Sequence, residues 1–286
     1  MNLANAHVQG TTKTVGIFGD PVTYTLSPKM HNAAFTKLGL DYVYVPFLVK
    51  PENLGNAVEA IRILNLAGVN VTLPHKRTIL PYLDSLSASA QKIGAVNTIV
   101  NRRGKLVGEN TDATGFLDSL KKDGNFNPKN KRAVILGAGG TACAMSVALL
   151  EAGVKKLVIA NRTLKRAQDL VKHLKPVHGQ AEILAADFSG ERLLDELRDC
   201  DLLANATPTG IDSSYFPFSA DKFLSADIFV FDAVYSATPL VTAAKERGAA
   251  ALNGLGMLVR QGALSFSLWT GEDPPIEIMR QALVEK

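Results

Sequence analysis

With 286 residues, 47% of them hydrophobic and 20% charged, the chain is too long for one ordinary compact core and suits two domains of roughly 100–150 residues each. That composition excludes a largely disordered chain, and a formal net charge of +4 without a basic face argues against a nucleic-acid partner while suiting small anionic ligands. No stretch approaches ~20 uninterrupted apolar residues, the N-terminal segment lacks the apolar core of a signal peptide, and Cys143 and Cys200 stand apart, so a cytoplasmic protein with no membrane contact, disulfide or metal is expected.

From Thr14 onward, short β-rich apolar runs alternate with helical stretches: TVGIFG, a helix over Ser27 to Leu38, YVYVPFLV, a helix over Glu52 to Leu66, then VNVTL. This order predicts an α/β domain with a mostly parallel sheet and helices on its faces. Ser27 before Pro28 reads as a helix start, serine capping free amides and proline pre-set for the first turn. GVNVTLPHK, GAVNTIV and GENTDATGF put polar residues at apparent strand ends, where open α/β sheets bind ligands.

Lys76 follows Pro74 at what reads as another helix start, where the helix dipole disfavours a cation. A surface lysine would look the same, and Asp112 could simply cap the next helix. As a pair they suit alcohol oxidation, the lysine exchanging a proton with the hydroxyl oxygen and the aspartate orienting it, with no metal required.

The first domain is expected to span residues 1–112. A helix over Ala113 to Leu120 and the turn-rich GNFNPKN connect it to a second series: AVILG, a helix over Thr141 to Ala152, KLVIA, a helix over Leu164 to Leu174, and strands around DLLANA and DIFVFDA. Residues 113–250 therefore read as a Rossmann-type domain. Between strand and helix lie Gly137, Ala138, Gly139, Gly140, Thr141 and Ala142, which fit the glycine-rich turn that lets a pyrophosphate approach free helix amides. The next strand ends without the acid that usually binds an NAD ribose. Asn161, Arg162 and Thr163 stand there instead, with Arg166 four residues beyond Arg162, so two guanidiniums could converge on a 2′-phosphate or simply start a solvated surface helix. The cofactor indicated is NADP.

Residues 251–286 read as a glycine-rich segment and C-terminal helices that return to the first domain. Leu258, Gln261, Ser265 and Leu268 share one helical face, so the Gln261 amide needs a partner from the protein or from a ligand.

FGDPVTYTLSPKMHNAAF, NVTLPHK, GAVNT, NTDATG, GAGGTA, NRTLKRA, NATPTG, FDAVYSATPL and GLGMLVRQGA occur in the order of the shikimate/quinate dehydrogenase family, and together they resemble it over almost the whole chain. The resemblance implies NADPH-linked interconversion of 3-dehydroshikimate and shikimate, with Lys76 as acid/base and Asp112 as its partner. It further implies substrate contacts from Thr25, Ser27, Thr72, Asn97, Tyr235 and Gln261. Cofactor contacts would come from Gly137 to Thr141, from Asn161, Arg162, Thr163 and Arg166, and from Val234, Gly254 and Met257. Two positions depart from the common pattern: Thr25 replaces a serine, leaving open a quinate/shikimate enzyme with relaxed substrate and NAD/NADP choice, and Asn253 replaces a frequent aspartate, a change expected to be harmless. Monomer and homodimer are both compatible with the sequence.

Overall fold

The computed structural model describes all residues except 1–7, 178, 189–190, 210–222, 237 and 285–286. The last residue of NATPTG and one alanine of FDAVYSATPL therefore lie outside the described residues. Two compact units are formed, one from Met1–Thr111 with Leu258–Lys286 and the other from Asp112–Met257.

In chain order the first unit contains β1 (Lys13–Gly19), α1 (Ser27–Leu38), β2 (Tyr42–Leu48), α2 (Leu54–Ile63), β3 (Gly68–Val71), β4 (Ser85–Leu86), α3 (Ala88–Ile93), β5 (Thr98–Arg102) and β6 (Lys105–Glu109). The second holds α4 (Asp112–Asp118), β7 (Arg132–Leu136), α5 (Gly140–Glu151), β8 (Lys156–Ala160), α6 (Leu164–Leu174), β9 (Glu182–Ala186), α7 (Glu191–Arg198), β10 (Leu202–Asn205), β11 (Phe229–Asp232), α8 (Pro239–Glu246) and β12 (Ala250–Leu252). Then follow α9 (Leu255–Thr270), within which the division between units falls, and α10 (Ile276–Val284).

The first sheet has the order β2-β1-β3-β5-β6-β4; three of its five strand pairings are parallel, so it is mostly parallel but mixed. β1 runs parallel to β2 and β3, and β4 parallel to β6, but β5 is antiparallel to both its neighbours. The β5–β6 pairing has a local cause: Arg103 and Gly104 between them take φ of 57° and 88°, and so short a left-handed turn reverses the chain; the β3–β5 pairing has no such turn behind it.

Side chains alternate across this sheet with period two. Val69, Val71 and Ile99 face α2 and α3 in one core that also holds Val58, Ile61 and Leu106. Val15, Ile17 and Val100 face the other way, onto a core with Met30 and Phe35 of α1, Phe266 and Trp269 of α9, and Met279 of α10. The C-terminal helices thus cover the sheet face that α1 leaves open.

Several expected helices begin or end differently. The stretch read as Glu52 to Leu66 splits into a 3-10 turn at Pro51–Asn53 and α2, which stops before Asn65 turns left-handed at φ 50°. α4 ends at Asp118 and continues as one wide π turn, Ser119–Asp123. α1 starts at Ser27 itself, with no side-chain cap from the residue before it; the Thr25 hydroxyl accepts the Ser27 N–H at 3.3 Å instead.

The second sheet is wholly parallel, ordered β12-β11-β10-β7-β8-β9. Counted from β7, this is the doubly wound 3-2-1-4-5-6 arrangement, whose ligand position is the point between the first and fourth strands where the winding reverses. Those strands are β7 and β10. Their apolar runs, Ala133 to Leu136 and Leu202 to Ala204, are buried throughout, as in strands covered on both faces.

Candidate active site

Polar residues on the α9 face of β3 and β5 meet polar residues of α9. Asn70 alternates with Val69 and Val71, so its amide points at the helix and donates to the Ser265 hydroxyl at 3.1 Å and the Thr98 hydroxyl at 3.0 Å, while the Tyr44 hydroxyl donates to its oxygen at 2.8 Å. Gln261 lies one turn before Ser265. Its oxygen accepts from the Asn97 amide at 3.1 Å, and its nitrogen donates to the Leu258 carbonyl at 2.8 Å. Asn97 also donates to the Thr111 hydroxyl at 2.8 Å and accepts the Thr111 N–H at 2.8 Å. Asn97, Thr111, Gln261 and Ser265 are all buried, so these bonds satisfy groups that would be costly to leave unpaired. An amide nitrogen has two donors, and Gln261 uses one of them among the described residues.

Lys76 sits in a run of turns after β3, not at a helix start. Its segment is pinned at both ends: His75 Nε2 meets the Val49 carbonyl at 2.6 Å, and the Lys76 carbonyl accepts the Val96 N–H at 2.8 Å. The lysine itself is half-buried. Ser27 is buried and Thr72 half-buried, and neither hydroxyl is hydrogen-bonded among the described residues.

In the second unit, Gly137 ends β7 at φ 109°, its N–H donating to the Ala160 carbonyl at 2.7 Å. A side chain there would be strained and would lie 3.1 Å from the Thr207 methyl. Beyond it Gly139 faces open space, and α5 begins with no side chain capping its first amides. Ala138 is buried, while Gly140 and Thr141 are half-buried at the helix mouth.

β8 is followed by Asn161, whose amide donates to the Thr163 carbonyl at 2.9 Å. Arg162 and Arg166 are exposed, and neither is ion-paired among the described residues. Thr163 is the N-cap of α6, so Arg162 precedes the helix and the two arginines do not share one helical turn. Both nevertheless flank the α6 N-terminus, where an anion is favoured. These features fit a phosphorylated dinucleotide, and the residues that follow β8 directly, Asn161 to Thr163, include no carboxylate.

Val234 and Tyr235 follow β11. The Val234 carbonyl accepts the Gly254 N–H at 2.9 Å, and Tyr235's carbonyl accepts the Asn253 amide at 2.9 Å. Gly254 must be glycine, because a Cβ would fall 2.2 Å from the Ala233 oxygen. Met257 and Asp112 are buried. Desolvation first, and the Asp112 carboxylate second, push the Tyr235 hydroxyl up to about 12, although 36% of the residue's surface remains exposed. The described residues contain no group of three or more His, Cys, Asp or Glu able to hold a metal and no helix long and apolar enough to cross a membrane.

Thr25, Ser27, Thr72, Lys76, Asn97 and Gln261 thus lie in the first unit, and Asp112, Tyr235 and the cofactor candidates in the second. Asn70, Thr98, Thr111, Asn205 and Asp232 were not singled out by sequence. A signal is present for two of them, a polar side chain inside the apolar strand GVNV for Asn70 and one closing FVFD for Asp232.

Residues 17–99 match the family described as the shikimate dehydrogenase substrate binding domain, residues 119–209 that of shikimate / quinate 5-dehydrogenase, and residues 254–284 the shikimate 5'-dehydrogenase C-terminal domain. A shikimate dehydrogenase (NADP(+)) of Methanopyrus kandleri is 45% identical over 282 residues, covering 97% of each chain. A crystal structure of a shikimate dehydrogenase in complex with NADP+ is 40% identical and has a TM-score of 0.87 over 97% of this chain and 96% of its own. That of the Thermus thermophilus enzyme in complex with NADP(H) and shikimate is 38% identical, with a TM-score of 0.83 over 95% and 98%. Matched at full length in sequence and in fold, the chain belongs to the shikimate dehydrogenase family.

Proposed function

We propose that this protein is an NADP-dependent shikimate dehydrogenase that interconverts 3-dehydroshikimate and shikimate on the route to chorismate and the aromatic amino acids, acting in the cytoplasm. The observation that carries the reading is the full-length likeness to NADP-dependent shikimate dehydrogenases, at 45% identity in one relative. The end of β8 supports the cofactor choice: two exposed arginines, without carboxylate partners among the described residues, follow the strand where an acid would serve NAD.

In this reading Gly137 to Thr141 receive the pyrophosphate, Asn161, Arg162, Thr163 and Arg166 the 2′-phosphate end, and Val234, Gly254 and Met257 the nicotinamide side. Bound NADP supplies or accepts the hydride. Lys76 holds the proton that passes to or from the substrate oxygen, and Asp112 orients it. The hydroxyls of Ser27 and Thr25 take the substrate carboxylate, while Thr72, Asn97, Tyr235 and Gln261 hold the ring hydroxyls.

The test is a two-by-two comparison of kcat/KM for shikimate or quinate with NADP or NAD, followed by nicotinamide absorbance. Strong preference for shikimate with NADP is expected. Comparable turnover of quinate or NAD would place the protein with dual-specificity relatives, and absence of turnover in all four would refute the reading.

A further inference from the structure

Asp232, the last residue of β11, is completely buried and has no role in the reading above. Aspartate is rarely buried unless its oxygens are compensated, and here the compensation comes from neutral donors. One oxygen accepts the Asn205 amide at 3.0 Å and the Val234 N–H at 3.0 Å; the other accepts the Thr238 hydroxyl at 2.7 Å.

These donors belong to different segments. Asn205 is the register partner of Asp232 on the neighbouring strand β10, so the bond ties together the C-terminal ends of two parallel strands. The Asn205 oxygen faces the other way and accepts both the N–H and the hydroxyl of Thr207, at 3.0 and 2.6 Å. Thr207 carries the methyl group that closes over Gly137. Val234 opens the loop after β11, whose backbone is gripped from its other side by Gly254 and Asn253. Thr238 caps α8, its hydroxyl accepting the Val241 N–H at 3.3 Å. One carboxylate therefore joins the loop against the glycine turn, the Val234–Tyr235 loop and the start of α8.

We propose that Asp232 is a positioning residue for the nicotinamide half of the cofactor: through Asn205, Val234 N–H and Thr238 it fixes Thr207 after β10, Val234 after β11 and the start of α8 without touching the ligand. The inference rests on the reading that Val234 lies on the nicotinamide side.

Adenosine 2′,5′-bisphosphate, which carries the 2′-phosphate end but no nicotinamide, separates a local role from a general one. By calorimetry, Asp232→Ala is expected to weaken NADP+ binding about tenfold or more while changing adenosine 2′,5′-bisphosphate binding less than about twofold. In turnover, KM for NADP+ rises and kcat falls while KM for shikimate holds. Asp232→Asn, which keeps an accepting oxygen toward Asn205 and Val234, should recover most of the NADP+ affinity. Equal weakening of both ligands, or wild-type affinity for both in Asp232→Ala, would overturn the inference.

If Asp232→Ala does not fold, Thr238→Val against Thr238→Ser makes the same comparison, with selective loss in the first and rescue in the second. Failure of the wild-type protein to bind adenosine 2′,5′-bisphosphate would refute the reading of Arg162 and Arg166. The NADP+ affinities of Asp232→Ala and Asp232→Asn would still decide the role of Asp232, equal values sinking it.

Discussion

Lys76 is an ordinary lysine in composition and an unusual one in placement, because its turn is anchored by His75 on Val49 and by its own carbonyl on Val96 while its side chain stays half-buried. Such anchoring limits where the ammonium can go, which is what proton transfer at one oxygen requires. Lys76→Ala should lower kcat by roughly 10²–10⁴-fold with NADPH binding intact by fluorescence titration; turnover within twofold of wild type would remove the lysine from the chemistry. His31 is a titratable group kept neutral by burial. It is fully buried, stacked on Tyr44 at a centroid distance of 4.6 Å and flanked by Phe35, Phe266 and Trp269, and neither ring nitrogen has a hydrogen-bond partner among the described residues. Desolvation lowers its pKa from 6.5 to about 3. Between those values the unfolded chain binds a proton that the native protein does not, so stability is complete above pH 6.5 and falls as the pH drops toward 3. The slope approaches about 1.4 kcal/mol per pH unit for this one group. In urea titrations, His31→Phe should lose about 1 kcal/mol less than wild type between pH 7 and 5.5. Identical losses would show that His31 does not contribute.

Individual elements were legible where a single periodicity governed them. The helix read over Ser27 to Leu38 and that over Leu164 to Leu174 coincide with α1 and α6, because a proline or polar start and an apolar face are written within one stretch of chain. The helix expected over Glu52 to Leu66 is shortened by a 3-10 turn at Pro51–Asn53 and by left-handed Asn65, while the turns carrying Lys76, expected as a helix start, are held by the Val96 N–H from another segment. The glycine turn between β7 and α5 is an element whose sequence and geometry agree. Gly137→Ala forces a side chain into φ 109° and against Thr207 and the Ala206 carbonyl, at 3.1 and 3.2 Å. Strain of about 1–3 kcal/mol should lower Tm by several degrees and raise KM for NADP, leaving KM for shikimate unchanged. A variant with unaltered Tm and NADP affinity would mean that the turn relaxes without cost.

At the scale of the whole molecule the net charge is a modest +4, and local charge matters more than the total. Arg162 and Arg166 are exposed, so their attraction for a 2′-phosphate is screened by salt, the Debye length falling from about 30 Å at 0.01 M to about 10 Å at 0.1 M. KM for NADP should therefore rise several-fold between these ionic strengths while that for NAD, lacking the phosphate, changes little; parallel behaviour of the two would argue against the arginine pair as the phosphate site.

The sequence by itself determined the α/β class, the doubly wound second sheet, the glycine turn and the missing acid after β8, because each is encoded by neighbouring residues whose periodicity or spacing is local. Only the tertiary structure decided that β5 runs antiparallel, that Asn97 bonds to Gln261 across 164 residues of chain, and that Asp232 and Asn205 pair between adjacent strands. Those partners are set by strand register and by which face a helix covers, and neither is written in the residues that meet.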